Sequence, residues 1–270
     1  MVDHPGEHYT HGHHESVLRS HSWRTVENSA AYLMPHLELG ASMLDVGCGP
    51  GTITVDFAKR VAPGVVIGLD AAPEIIDKAR SFAHDAGVEN VEFVVGDAYA
   101  LDYPDDEFDI VHTHQTLQHV ADPVAVLREM RRVVRHEGVV AAREVDYDGI
   151  IWYPEVPGLA KWRELYSKVH RSNGGEPNAG RHLKAWALKA GFSDVVSTAS
   201  VWCFSSDADR QWWGTMWEDR VLQSAFAADA LGKGLATQDD LEEVAAAWRD
   251  WTADPAGWLT MTHGEILGRG

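Results

Sequence analysis

Cysteine is nearly absent: the 270 residues hold two, Cys48 and Cys203, far apart in the chain. That excludes a disulfide framework and a cysteine-rich metal centre. No run of about 18 apolar residues occurs, so no membrane span is expected. The start, Met1-Val2-Asp3-His4-Pro5-Gly6, lacks the basic and apolar regions of a secretory signal, and a cytoplasmic protein is expected. Basic residues are few, 23 Lys and Arg against 41 Asp and Glu, for a net charge of −18. Nucleic-acid binding needs cationic surface to displace counterions, so DNA and RNA are poor candidates for a partner. A small-molecule substrate is expected instead, with no nucleic acid, no membrane, and room for a homodimer.

Hydrophobic residues make up 45% and charged residues 24%, an ordinary globular balance. After a polar, histidine-rich stretch over 1–14, the positions Trp23, Val26, Ala30, Leu33, Met34 and Leu37 follow helical spacing up to Leu39-Gly40. Strands are predicted at 42–46, 65–69, 91–95 and 108–112, with a fifth opening at Val139. Helices alternate with them: one carries Ile53, Phe57 and Val61, one starts at Pro73 and carries Ile75, Ile76, Ala79 and Phe82, and one runs over 123–135. Apolar strands joined by helices imply a parallel sheet covered on both faces. Ligands of such sheets bind at the carboxyl ends of the strands, where strand order reverses. Asp45, Asp70, Asp97 and His112 to His114 end predicted strands and should line one crevice. The second half reads as a loop over 147–157, helices over 158–172 and 181–190, a strand near 195–204, two or three helices over 207–251, and a last strand over 258–267. The expected organisation is a lid and helix over 1–40, a cofactor-binding core over 41–146, and over 147–270 the rest of the sheet with helical cap insertions.

Gly47-Cys48-Gly49-Pro50-Gly51 follows a strand and opens a helix. Glycine lets backbone turn tightly and approach a ligand, and a helix start offers unpaired N–H groups. Asp70, 23 residues past Gly47, is placed to accept two ribose hydroxyls; Asp97 is placed to meet an adenine amino group. The run Leu44-Asp45-Val46-Gly47-Cys48-Gly49-Pro50-Gly51-Thr52 resembles motif I of class I S-adenosylmethionine-dependent methyltransferases. Gly68-Leu69-Asp70 with Ala79 is similar to their second motif, Val95-Gly96-Asp97-Ala98 to the third, and Phe108-Asp109-Ile110-Val111 through Leu117-Gln118-His119-Val120-Ala121-Asp122-Pro123 to the fourth. The resemblance is closest to the small-molecule branch typified by quinone-biosynthesis methyltransferases, and spans residues 40 to about 145. It implies a Rossmann-like, doubly wound, mostly parallel sheet of seven strands. It also implies S-adenosylmethionine as cofactor, S-adenosylhomocysteine as product, and methyl transfer to an O, N or C atom of a small hydrophobic metabolite. Cofactor candidates are Asp45, Gly47, Cys48, Gly49, Gly51, Thr52, Asp70, Ala71, Gly96, Asp97, Ala98, His114 and Gln115, with Tyr9 and Arg19 from the lid. A dinucleotide oxidoreductase is the weaker alternative, because the fingerprint G-x-G-x-x-G is broken: the third glycine comes one residue early and Thr52 fills its place. A protein that binds S-adenosylmethionine without methylating is the other.

A base is needed only if the acceptor must lose a proton. His114 and His119 follow the fourth strand and are the candidates; the alternative is that they cap a strand and a helix. Substrate candidates are His14, Trp23, Gln118, Arg143, Trp152, Trp213 and Trp217. Arg143 could anchor an acidic substrate or brace Asp45 or Glu144, and most of the tryptophans read equally as cap core. Arg19 or Arg24 could pair with the cofactor carboxylate. His11, His13 and His14 suggest a metal only weakly, since no ligand set is completed around them, and no metal is expected.

Overall fold

The computed structural model describes residues 23–270. Its centre is an eight-stranded sheet, one strand more than the sequence predicts. β1 (Met43–Val46), β2 (Val66–Asp70), β3 (Val91–Val95), β4 (Phe108–His114) and β5 (Val134–Val145) are parallel and ordered β3-β2-β1-β4-β5. Strand order therefore reverses at β1, between β2 and β4, which opens a crevice at the strand ends.

Beyond β5 lies β8 (Trp258–Arg269), antiparallel to it. The short β6 (Ile151–Tyr153) pairs with the start of β8, and β7 (Asp194–Phe204) pairs along its whole length on the other side. β6 lies where a loop is predicted over 147–157: its ladder partners come from the far end of the chain, so local pattern does not reveal it.

α2 (Thr52–Val61), entered from Gly51, and α3 (Pro73–Asp85), with proline at its first turn, cover one face. Ile75, Ile76, Ala79 and Ala83 face inward from α3, so Phe82 is exposed rather than on the apolar face. The residues before β1 reach the same face, as a single turn α1 (Val26–Ser29) and a 3-10 stretch over Ala31–His36, in place of the longer helix predicted. Pro35 supplies no N–H, and its ring crowds the carbonyl four residues back, so the α-helix does not propagate. Thr25 and Asn28 form a capping box for α1, and the Val26 N–H donates to Asp56 of α2 at 2.8 Å.

The opposite face carries α4 (Pro123–Val133), capped by Asp122, and α6 (Ala179–Ala190), which stops at Gly191 with φ +100°. α5 (Pro157–Ser172), α7 (Asp207–Gln223), α8 (Ala225–Gly232) and α9 (Gln238–Ala253) form a cap with its own aromatic core. Among the described residues no helix is long and apolar enough to cross a membrane.

Candidate functional site

The glycine loop is held from three sides. Gly47, Gly49 and Gly51 take φ of +72°, +55° and +81°, a region L side chains avoid. A Cβ on Gly47 would overlap the Thr116 side chain, and one on Gly51 would lie 2.7 Å from the Phe93 ring. Asp70, at the end of β2, receives the Gly49 N–H at 3.0 Å and the Ala72 N–H at 3.1 Å. These bonds fix the carboxylate at the end of β2 beside the loop. Asp97 closes β3 and receives the Tyr99 N–H at 2.9 Å; Gly96 donates to the Asp70 carbonyl at 3.1 Å. Ala71, Ala98 and Thr52 adjoin these positions in the chain. Cys48 turns its sulfur inward, so that a Cβ on Gly68 would sit 3.1 Å from it, and burial pushes the thiol up. The Cys48 N–H donates to the Leu69 carbonyl at 3.0 Å and its carbonyl accepts from the Gly51 N–H at 3.2 Å, so the residue is tied into the turn.

Asp45 is buried under the loop. Thr54 donates to one of its oxygens at 2.6 Å and His112 bonds the other at 2.8 Å. Its carboxylate therefore braces β1 against α2 and β4. His112 is fully buried and does not line the crevice, because β4 runs two residues further than predicted, to His114.

Ladder register then aligns a polar band on one face. Asp45 lies opposite His112, His114 opposite Arg143, Arg143 opposite Glu265, Glu265 opposite Thr198, and His263 opposite Ser200. Side chains alternate along a strand, so these residues share the face that also carries the α1 segment, and Glu144 points to the other. There Glu144 accepts the N–H groups of Thr116 (2.9 Å), Leu117 (2.7 Å) and Gln118 (3.3 Å). Burial pushes its carboxyl up to about 8 although the three amides pull it down.

His114 lies against Trp202 and His263, at ring separations of 5.8 and 6.2 Å. Neither of its ring nitrogens has a hydrogen-bond partner among the described residues. Burial, and then the Arg24 and Arg143 guanidinium groups, hold it well below the usual histidine range, so it is neutral at pH 7. Gln115 follows with φ +53° and bridges the ends of the chain: Arg24 donates to its Oε1 at 2.6 Å, and its Nε2 lies 2.8 Å from His263 Nε2. His263 Nδ1 lies 3.0 Å from the Met261 carbonyl, which assigns that nitrogen the proton and leaves Nε2 to accept from Gln115.

Arg143 braces neither Asp45 nor Glu144, because alternation sends Glu144 to the opposite face. Its Nε donates instead to Ser200 at 3.1 Å and Glu265 at 3.3 Å. Trp23 packs on Trp202 edge to face at 5.2 Å, beside the band.

Other candidates lie elsewhere. His119 sits in the 3-10 turn Leu117–His119 with its ring 4.9 Å from His170, towards α5. Gln118 is buried beside it, and its carbonyl bonds His170 Nε2 at 2.7 Å. Trp217 is fully buried, stacked on Trp248 at 5.9 Å and edge-on to Trp162 at 4.7 Å. Trp213 stacks on Phe204 at 4.2 Å in the same core. Both are cap core, since their rings are consumed by other aromatic rings. Trp152 lies on β6 under the Arg163 guanidinium, apart from the His114 cluster. Tyr9, His14 and Arg19, and the histidines at 11 and 13, lie outside the described residues. Tyr32, Ser200, His263 and Glu265 were not foreseen as site residues; only the register of β8 and β7 brings the last three to the band.

Residues 37–211 match the family described as a methyltransferase domain. An uncharacterized methyltransferase of Schizosaccharomyces pombe is 36% identical, over 96% of this chain and 95% of that one. Demethylmenaquinone methyltransferase of Listeria welshimeri is 32% identical over 50% of this chain and 54% of its own. The crystal structure of the YcgJ protein of Bacillus subtilis covers 93% of this chain and 98% of that one, at a TM-score of 0.56 and 20% identity. The matched span holds the glycine loop, both strand-end carboxylates and His114, and the chain thus belongs to the methyltransferase-domain family, in its S-adenosylmethionine-dependent class I branch.

Proposed function

We propose that the protein transfers a methyl group to an O, N or C atom of a small, largely apolar metabolite held over the ends of β4 and β5. The observation that carries this is His114: a buried, neutral imidazole with no hydrogen-bond partner at either nitrogen among the described residues, at the strand end next to the glycine loop. Gly47 to Thr52 would cradle the amino-acid end of S-adenosylmethionine, Asp70 with Ala71 its ribose, and Gly96 to Ala98 its adenine. Gln115 would close the site at the methyl end. Bound there, S-adenosylmethionine supplies an electrophilic methyl group on a sulfonium.

The chain's own contribution is alignment, exclusion of water and handling of one proton. Trp23 and Trp202 give an apolar wall beside His114. His114 takes the proton of an acceptor hydroxyl or amine as the new bond forms, and the buried surroundings keep it unprotonated until then.

Isothermal titration with S-adenosylhomocysteine and with NAD tests the reading. Binding of the first alone is expected; binding of NAD alone would sink it. Asp70→Ala should weaken S-adenosylhomocysteine at least about tenfold through lost charge-assisted bonds to the ribose. Unchanged affinity would contradict that placement. Cofactor binding without turnover on any acceptor in a panel of quinols, phenols and amines would favour the non-methylating alternative.

A further inference from the structure

Arg143 is 1% exposed, yet only its Nε is used. Both terminal nitrogens, Nη1 and Nη2, are buried and without a hydrogen-bond partner among the described residues. A buried guanidinium left with an open edge is costly unless an anion completes it. The Nε side is fixed by a built support. Glu265 Oε1 accepts from Arg143 Nε and, at 2.5 Å, from Ser200 Oγ, while Thr198 holds its other oxygen at 2.8 Å. The plane is fixed as well, since the Arg143 guanidinium lies 4.9 Å from the Trp202 ring centre. That arrangement presents the Nη1/Nη2 edge as a rigid fork, which matches a carboxylate in two parallel bonds.

The neighbours agree with an anion. The Arg24 guanidinium lies 5.6 Å from the centre of the same Trp202 ring, so two cations meet one indole in a protein of net charge −18. His114, opposite Arg143 in the ladder, has no hydrogen-bond partner at either nitrogen among the described residues. Tyr32 brings a buried hydroxyl without a hydrogen-bond partner among the described residues, whose proton burial holds in place. Resting on the methyltransferase reading of this site, we infer that the methyl acceptor is an organic acid whose carboxylate is clamped by the Arg143 fork while its apolar body lies against Trp202 beside His114. The cofactor also carries a carboxylate. Arg143 stands on β5, two strands from the glycine loop and about 10 Å across the sheet, which favours the acceptor over the cofactor.

The test uses matched acid and amide probes on the full chain saturated with S-adenosylhomocysteine: benzoate and benzamide, indole-3-acetate and indole-3-acetamide, acetate and acetamide. Titration calorimetry should show at least one acid binding about tenfold to a hundredfold tighter than its amide. Arg143→Gln should abolish that preference and leave S-adenosylhomocysteine affinity within about twofold. Arg143→Lys keeps the charge without the fork and should retain only part of it. Acids and amides binding alike across the panel would overturn the inference, and so would a preference that survives Arg143→Gln. A tenfold loss of S-adenosylhomocysteine in that variant would assign the fork to the cofactor and overturn it too. The wild-type comparison decides alone if the variants do not fold. If the wild type does not bind S-adenosylhomocysteine, the methyltransferase reading of the site fails, and the acid and amide comparison without it still decides the fork.

Discussion

In the proposed reaction, the chemistry at His114 turns on one proton. Burial and two nearby guanidinium groups depress its basicity, so its protonation lies below pH 6.5. If His114 is the base, the acid limb of kcat/KM falls below pH 6.5 and is absent from His114→Gln. That variant should lose about 10²- to 10⁴-fold in kcat while still binding S-adenosylhomocysteine. A limb above pH 6.5, or one that persists in the variant, would place the proton elsewhere. His114 was legible in the sequence as a strand-end residue, but the lack of partners for its nitrogens among the described residues was not. It follows from what Arg143, Trp202 and His263 do around the ring, and these come from three strands. The expectation that Asp45 faces the cofactor has a similar limit: the strand pattern places Asp45, whereas Thr54 and His112 decide what its oxygens touch.

Among elements, the glycine loop and α2 show how tightly backbone shape is set. Gly51 starts α2 from the left-handed region, against the Phe93 ring on β3 and Ala79 on α3. Gly51→Ala should therefore lower stability by about 1–3 kcal/mol from the backbone conformation alone, read as a lower urea midpoint at unchanged slope. An unchanged midpoint would mean that the loop relaxes freely. The loop and the first five strands were readable because their signals are local: apolar runs, Gly and Pro stops, and an acid at or near the ends of the first three strands. The α1 segment misled because its apolar spacing is helical, while Pro35 prevents an α-helix through it. β6 was invisible for the opposite reason, since three residues become a strand only when β8 pairs with them.

For the molecule as a whole, buried histidine dominates the response to acid. Burial holds His114, His119 and His263 well below the usual range, and His170 down to about 4. Below pH 6.5 an unfolded chain takes up protons at these four side chains that the folded chain refuses. Unfolding then consumes protons, and stability falls as pH falls. Glu144, pushed up to about 8, acts in the other direction between pH 4.5 and 8, one group against four. Tm should therefore drop between pH 6.5 and 5. By pH 4 His170 alone accounts for about 3 kcal/mol. A Tm that stays level over that range would mean the histidines are not buried in solution.

The place of β8 carries a consequence for synthesis. A chain made from its amino end has β5 complete at Val145, but the sheet's next strand does not begin until Trp258. Until then β5 has an open edge, β7 has no ladder partner, and Arg143 lacks Glu265. The half of the sheet that carries the glycine loop can thus form early on the ribosome, whereas the side around Arg143 is assembled only by the closing strand. Ribosome-stalled chains ending before β8 should hold the first half without the second, an order of assembly that exposes β5 and β7 to wrong partners for as long as translation lasts.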